Sequence, residues 1–188
     1  MRSELKAKWL QYFSSNKNQG FTILELLVII VIIGVLAAIA LPSFLSCANK
    51  GKQSEAKSYV GSMNKGQQAY FMEKDTFANS IEKLGIGIKN QTANYQYSLQ
   101  TTPKTAFSYG VALKNTTKPI KSYVGAVFLV PVKKDKTKAA KPQMETVVET
   151  VAILCETNRA STTRPANPIN QKGVPACATD THDPTHPQ

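Results

Sequence analysis

Apolar and polar positions divide this chain into stretches of different period. From Leu26 to Leu41 every residue except Gly34 is aliphatic, and no charged side chain lies between Glu25 and Lys50. A run that is apolar on every face suits lipid better than one side of a soluble core. About 20 helical residues cover the roughly 30 Å hydrocarbon layer, so this stretch predicts a membrane-spanning helix. Past Ser46 the pattern becomes one-sided. Ala56, Val60, Met63, Gln67 and Tyr70 recur at intervals of three and four, with Tyr59, Gly66 and Phe71 beside them. Lys52, Glu55, Lys57 and Lys65 flank that stripe. The spacing predicts an amphipathic continuation of the same helix, ending near Lys74-Asp75.

Residues 75–93 read as an irregular connection in which Gly85-Ile86-Gly87 marks a turn rather than a phosphate loop. Four strand-like runs follow: Tyr95–Thr101, Thr105–Leu113, Tyr123–Val132 and Glu145–Cys155. The first two alternate in polarity. The third is almost continuously apolar, which suits a central strand with Pro131 at its end or on an edge. The expected fold is therefore α+β, with a four-stranded antiparallel sheet packed on the second half of the long helix. Residues 178–188 are polar and Pro-rich and are expected to form a flexible tail.

Composition sharpens this picture. Of 188 residues, 42% are apolar, and 20 of the apolar ones lie between Phe21 and Leu45. The rest suffice for one modest core. Collagen, a disulfide-dense mini-protein, a wholly disordered chain and a polytopic membrane protein are excluded. Of the formal charge of +11, Arg2, Lys6, Lys8 and Lys17 against Glu4 place +3 in residues 1–20. This basic flank favours a cytoplasmic N-terminus and a head outside the cytoplasm, although Lys50, Lys52 and Lys57 follow the span. No catalytic constellation stands out, and the chain is read as a non-enzyme without a cofactor. The only histidines, His182 and His186, are separated by Pro184, which argues against a helical metal pair.

Several processing readings fit the apolar segment. A secretory signal could end at Ala38-Ile39-Ala40, Cys47 could carry a lipid, or the segment could remain a plain anchor. None accounts for Glu25, a carboxylate at the start of an apolar run, where an unpaired charge is costly.

Gly20-Phe21-Thr22-Ile23-Leu24-Glu25-Leu26-Leu27-Val28 resembles the class III signal of type IV prepilins, and the likeness continues through Gly34 and Ala40-Leu41-Pro42. Lys52–Lys57, Tyr59–Asn64 and Gln67–Tyr70 look like cyanobacterial-type major pilins. The resemblance implies the type IV pilin fold and a filament-forming homopolymer for motility, adhesion or DNA uptake. It also implies a prepilin peptidase that cuts between Gly20 and Phe21, N-methylation of Phe21, and an inner-membrane platform with its ATPase. The subunit would wait in the inner membrane and end in an extracellular pilus. Glu25 would offset a neighbouring subunit's N-terminal amine, and Gly34 with Pro42 would let the helix curve or loosen during packing. The organisation expected is a leader at 1–20, an assembly helix at 21–46, an amphipathic half at 47–74, a head at 75–177 and the tail. A minor pilin or secretion pseudopilin is the first rival. A secreted or anchored anion-binding module is the second.

The cysteines, a lysine run and two Asn-x-Thr triplets add further expectations. Cys155 and Cys177 are expected to pair outside the cytoplasm, closing a C-terminal loop of the kind pilins often carry. Cys47 is left over, and a buried thiol is the expectation for it. Lys133, Lys134, Lys136, Lys138 and Lys141 form a candidate anion-binding loop for polysaccharide, nucleic acid or membrane headgroups. Without interleaved aromatic residues, these lysines do not make a single-strand nucleic-acid platform. Asn90-Gln91-Thr92 and Asn115-Thr116-Thr117 fit a glycosylation pattern by chance.

Overall fold

A computed structural model describes residues 22–114, 119–133 and 146–185. The chain divides into two compact units, Met1–Ser46 and Cys47–Gln188. One helix, α1 (Ile23–Lys74), contributes to both.

In the first unit, the large apolar side chains from Ile23 to Leu45 are all exposed. None of the most apolar 18-residue window is covered by protein, and the helix is long and apolar enough to cross a membrane. Pro42 lies inside α1, where it removes one backbone hydrogen bond without ending the helix.

In the second unit, α1 buries Ala56, Val60, Met63, Asn64 and Gln67. Tyr70, expected on this stripe, is only half-buried, and Asn64 takes a place in it. The helix stops at Asp75, whose φ of 55° is the left-handed conformation that ends helices and that Asp tolerates better than most residues. Its N–H still donates to Phe71 O at 2.9 Å. The connection that follows contains a 3₁₀ turn, Glu82–Leu84, closed by Gly85 at φ 64°.

The main sheet contains β1 (Tyr95–Thr102), β2 (Thr105–Ala112), β3 (Tyr123–Lys133), β4 (Thr146–Thr157) and β7 (Thr181–His182). Their spatial order is β1-β2-β3-β4-β7, and every neighbouring pair is antiparallel. The expected four strands are there, but among the described residues the sheet has five. The fifth corrects the reading of a flexible tail at 178–188 for its described part, residues 178–185, while 186–188 lie outside the described residues. Thr181 and His182 pair with Thr157 and Glu156, and Asn158 N–H donates to Asp180 O at 3.1 Å. Strand pairing holds this polar segment although it lacks an apolar run. A separate hairpin joins β5 (Ile169–Gln171) to β6 (Val174–Ala176). Its two-residue turn, Lys172-Gly173, has φ of 53° and 93°, as a type I′ turn requires.

Pro131 sits within central β3 at no cost to the ladder. Leu129 N–H points towards the β2 side, where it reaches Lys104 O. By strand alternation Pro131 N points the same way, and β2 pairs with β3 only as far as Thr105–Phe128.

The core has two sides. On one face of the sheet, Tyr95, Tyr97, Ile120 and Tyr123 pack with Ala56, Val60 and Met63 of α1. On the other, Tyr109, Val124 and Cys155 form a second cluster flanked by Phe107, Ile153 and Cys177.

Candidate functional site

The first turn of α1 carries the residues that the prepilin signal singles out. Thr22 precedes the helix, and its Oγ1 accepts the Glu25 N–H at 3.2 Å. This caps one of the backbone donors left free at a helix start. Thr22 and Glu25 have the spacing of a capping box, so one side chain ends the helix cleanly while the carboxylate stands three residues in. Sequence reasoning used Glu25 and overlooked Thr22, although the Thr-x-x-Glu pattern was its signal. Glu25 is exposed in the isolated subunit. Gly20 and Phe21 lie outside the described residues.

Gly34 faces open space, and a Cβ there would meet nothing within 4 Å. Among the described residues nothing requires a glycine at this position. Cys47 is a free thiol and is exposed, which corrects the expectation of a buried one. The first contact of the sheet with α1 is at Glu55 and the first buried residue is Ala56, eight and nine residues further along, so no described element shields it.

The head is attached to α1 by amide side chains. Gln67 is fully buried; its Nε2 donates to Ala78 O at 2.8 Å, and its Oε1 accepts Ala78 N–H at 2.9 Å. It thereby satisfies both backbone groups of one loop residue. Asn64 donates to Ile153 O at 2.9 Å, and Gln68 to Thr150 O at 3.2 Å. Asn64 lies over Gly125, where a Cβ would come within 2.7 Å of its Cγ. Only glycine on β3 leaves room for that amide.

Glu55 receives Asn94 Nδ2 at 3.1 Å and Tyr97 OH at 3.3 Å. Burial, then the Glu55 charge, holds the Tyr97 phenol well above its ordinary pKa. Tyr95 and Tyr123 are raised too, first by burial; Glu55 and Glu156 add to Tyr95, and Glu156 adds to Tyr123. Tyr109 is also raised by burial, partly offset by Arg164, whose guanidinium stacks 3.6 Å from the ring centroid.

At the C-terminal end, Cys155 and Cys177 are joined by a disulfide with Cα atoms 5.8 Å apart. Glu156 Oε1 accepts Lys121 Nζ at 2.7 Å and meets His182 Nε2 at 2.9 Å. His182 is thus a strand partner. Among the described residues no group of His, Cys, Asp and Glu could hold a metal ion. His186 lies outside them. Lys133 belongs to β3 and not to the loop after it, because the β3–β4 ladder runs out to Lys133–Thr146. Lys134, Lys136, Lys138 and Lys141 are outside the described residues.

A long apolar helix with a carboxylate in its first turn, continued along an antiparallel sheet with a stapled C-terminal segment, agrees with what known proteins show. The model of the family described as type IV pilin-like G and H matches residues 53–178. That of the prokaryotic N-terminal methylation motif matches residues 15–41.

The chain belongs to the type IV pilin-like family.

Among this pilin's relatives is the "Type IV major pilin protein PilA" of Myxococcus xanthus. It is 41% identical over 70 residues, covering 37% of this chain and 32% of the relative. The match thus spans about a third of that relative's length. A "Fimbrial protein" of Moraxella nonliquefaciens is 31% identical over 137 residues, covering 70% of this chain and 87% of the relative. The "Type II secretion system core protein G" of Dickeya chrysanthemi is 29% identical over 76 residues, covering 40% and 50%.

Proposed function

We propose that this pilin is a filament subunit held in the inner membrane by the Ile23–Leu45 stretch, with its N-terminus in the cytoplasm and its head outside. Type IV pilins polymerise into filaments and are processed by prepilin peptidase. In this chain the cut falls between Gly20 and Phe21, and the new Phe21 amine is methylated, which retains its positive charge. The same helix then leaves lipid for the filament core. Lipid already hosts its apolar surface, so assembly depends on packing, charge pairing and an ATP-driven platform rather than on hydrophobic transfer. Gly34 and Pro42 supply the freedom to bend. Lys133, Lys134, Lys136, Lys138 and Lys141 form an anion-contacting surface whose attraction weakens with salt.

The observation that carries this reading is Glu25, the single carboxylate on a helix turn otherwise bound for lipid. An opposite charge on a neighbouring N-terminus satisfies it. Replacing Glu25 by Ala is expected to leave cleavage intact and abolish surface filaments, measured by electron microscopy of sheared cells. Normal filaments from that variant contradict the pairing.

The secretion-system relative supports a second reading, a pseudopilin. The two separate on abundance: a pilus subunit dominates sheared surface filaments, and a pseudopilin does not.

A further inference from the structure

The main sheet has one long strand edge that the described residues leave largely unpaired. β4 runs for 12 residues, but β7 covers only Glu156 and Thr157. Alternation along an antiparallel ladder says which backbone groups point outward. Thr157 N–H donates inward to Ser122 O, and Asn158 N–H donates outward to Asp180 O. The even-numbered residues of β4 therefore present their N–H and C=O groups at the outer edge. Thr150 O takes the Gln68 amide there. Among the described residues, nothing pairs with the outward backbone groups of Val148 and Ala152 or with the Thr150 N–H. Val148 is 52% exposed, and Ala152 is exposed. Natural sheets normally blunt such edges, because an open one templates pairing with another chain.

The opposite end of the same sheet has a matching opening. Odd-numbered residues of β1 point outward. Thr92 N–H donates to Tyr95 O, and Tyr97 N–H donates to Asn90 O. This connection covers β1 as far as Tyr97. Leu99 and Thr101 follow on the same edge with no backbone partner among the described residues.

We propose that the β4 edge of one subunit pairs with the β1 edge of a second copy in the filament, joining neighbouring heads into one antiparallel sheet. The proposal rests on the filament reading, which supplies copies of this chain at high local concentration. Three observations select a second copy as the occupant. Both open edges belong to one sheet, at its two ends. On both edges the outward-pointing residues carry their side chains on the α1 side, as Leu154 on β4 and Tyr95, Tyr97 and Leu99 on β1 do. Setting Ala152 against Leu99 and Thr150 against Thr101 therefore keeps both faces continuous. In that register Glu149, exposed on β4, stands diagonally across from the exposed Lys104 that follows β1. Such diagonals are within reach of long side chains.

Hydrogen exchange, read by mass spectrometry on filaments and on detergent-dispersed subunits, tests this. Peptides spanning 147–153 and 98–102 are expected to gain slow amides in filaments, with exchange at least tenfold slower. Equal exchange in the two states overturns the edge pairing while leaving filament assembly intact. If the chain forms no filaments at all, the filament reading falls and takes this one with it. Ala152→Pro removes an outward N–H that no described residue uses, so the head is expected to fold and keep its disulfide while its filaments dissociate at lower temperature. Should that variant misfold, Glu149→Lys serves instead: it is expected to weaken filaments, and adding Lys104→Glu to restore them. Wild-type filament stability in folded Ala152→Pro, or in Glu149→Lys alone, overturns the proposal.

Discussion

Asn64, Gln67 and Gln68 reach from one helix to backbone groups of the loop and of β4, contacts that apolar side chains could not make. Gln67 is the most consequential because both hydrogen bonds of its amide are buried. Gln67→Ala strands the Ala78 N–H and C=O away from water, and each unsatisfied group costs about 1–3 kcal/mol. The expected loss is about 3 kcal/mol, measured by urea unfolding of the detergent-solubilised subunit. The periodicity marked position 67 as inward-facing, but its partner could not be read because Ala78 lies beyond the helix end. Asn64 was passed over because an amide above a glycine 61 positions later leaves no local pattern.

The phenols make a second residue-scale prediction. Tyr95, Tyr97, Tyr109 and Tyr123 are held protonated above their ordinary range by burial. A raised folded-state pKa contributes stability that is complete below the unfolded value of about 10 and declines as pH rises past it. Thermal midpoints are therefore expected to fall above about pH 10, and the fall is expected to be shallower in Tyr97→Phe. A midpoint independent of pH in that window contradicts the assignment.

At the scale of elements, the strongly periodic segments were legible: the helix through Lys74, and the cores of β1 to β4. Their ends differ by a residue or two, as expected where tertiary pairing decides. The fifth strand and the β5–β6 hairpin were not legible. β7 has only two residues and is formed by partners on Glu156 and Thr157, not by its own alternation. The hairpin depends on two positive φ values, one of them at Lys172, a residue type that does not advertise a turn. The Cys155–Cys177 crosslink ties this weakly patterned C-terminal segment to β4. On the chain-entropy account, closing a loop of this length stabilises by roughly 3 kcal/mol. Replacing both cysteines by serine is expected to lower stability by about that amount. It is also expected to speed exchange in residues 158–182 before the β1–β3 ladder is affected.

At the scale of the whole molecule, one helix serves two environments. Its first part exposes aliphatic side chains on every face, and its second part buries a stripe beneath a sheet. Composition averages hide this, as the net charge of +11 hides Glu25. The division was legible because lipid and a one-sided core impose different periods on the same helix. The placement of the head's open strand edges was not, because it depends on which strands become neighbours. In the proposed function, residues 1–20 are a leader and the apolar helix starts a mature filament subunit. N-terminal sequencing with mass analysis of the protein recovered from sheared filaments tests it most directly. A chain beginning at N-methylated Phe21 is expected; a chain beginning at Met1 or at Leu41 rules the leader out.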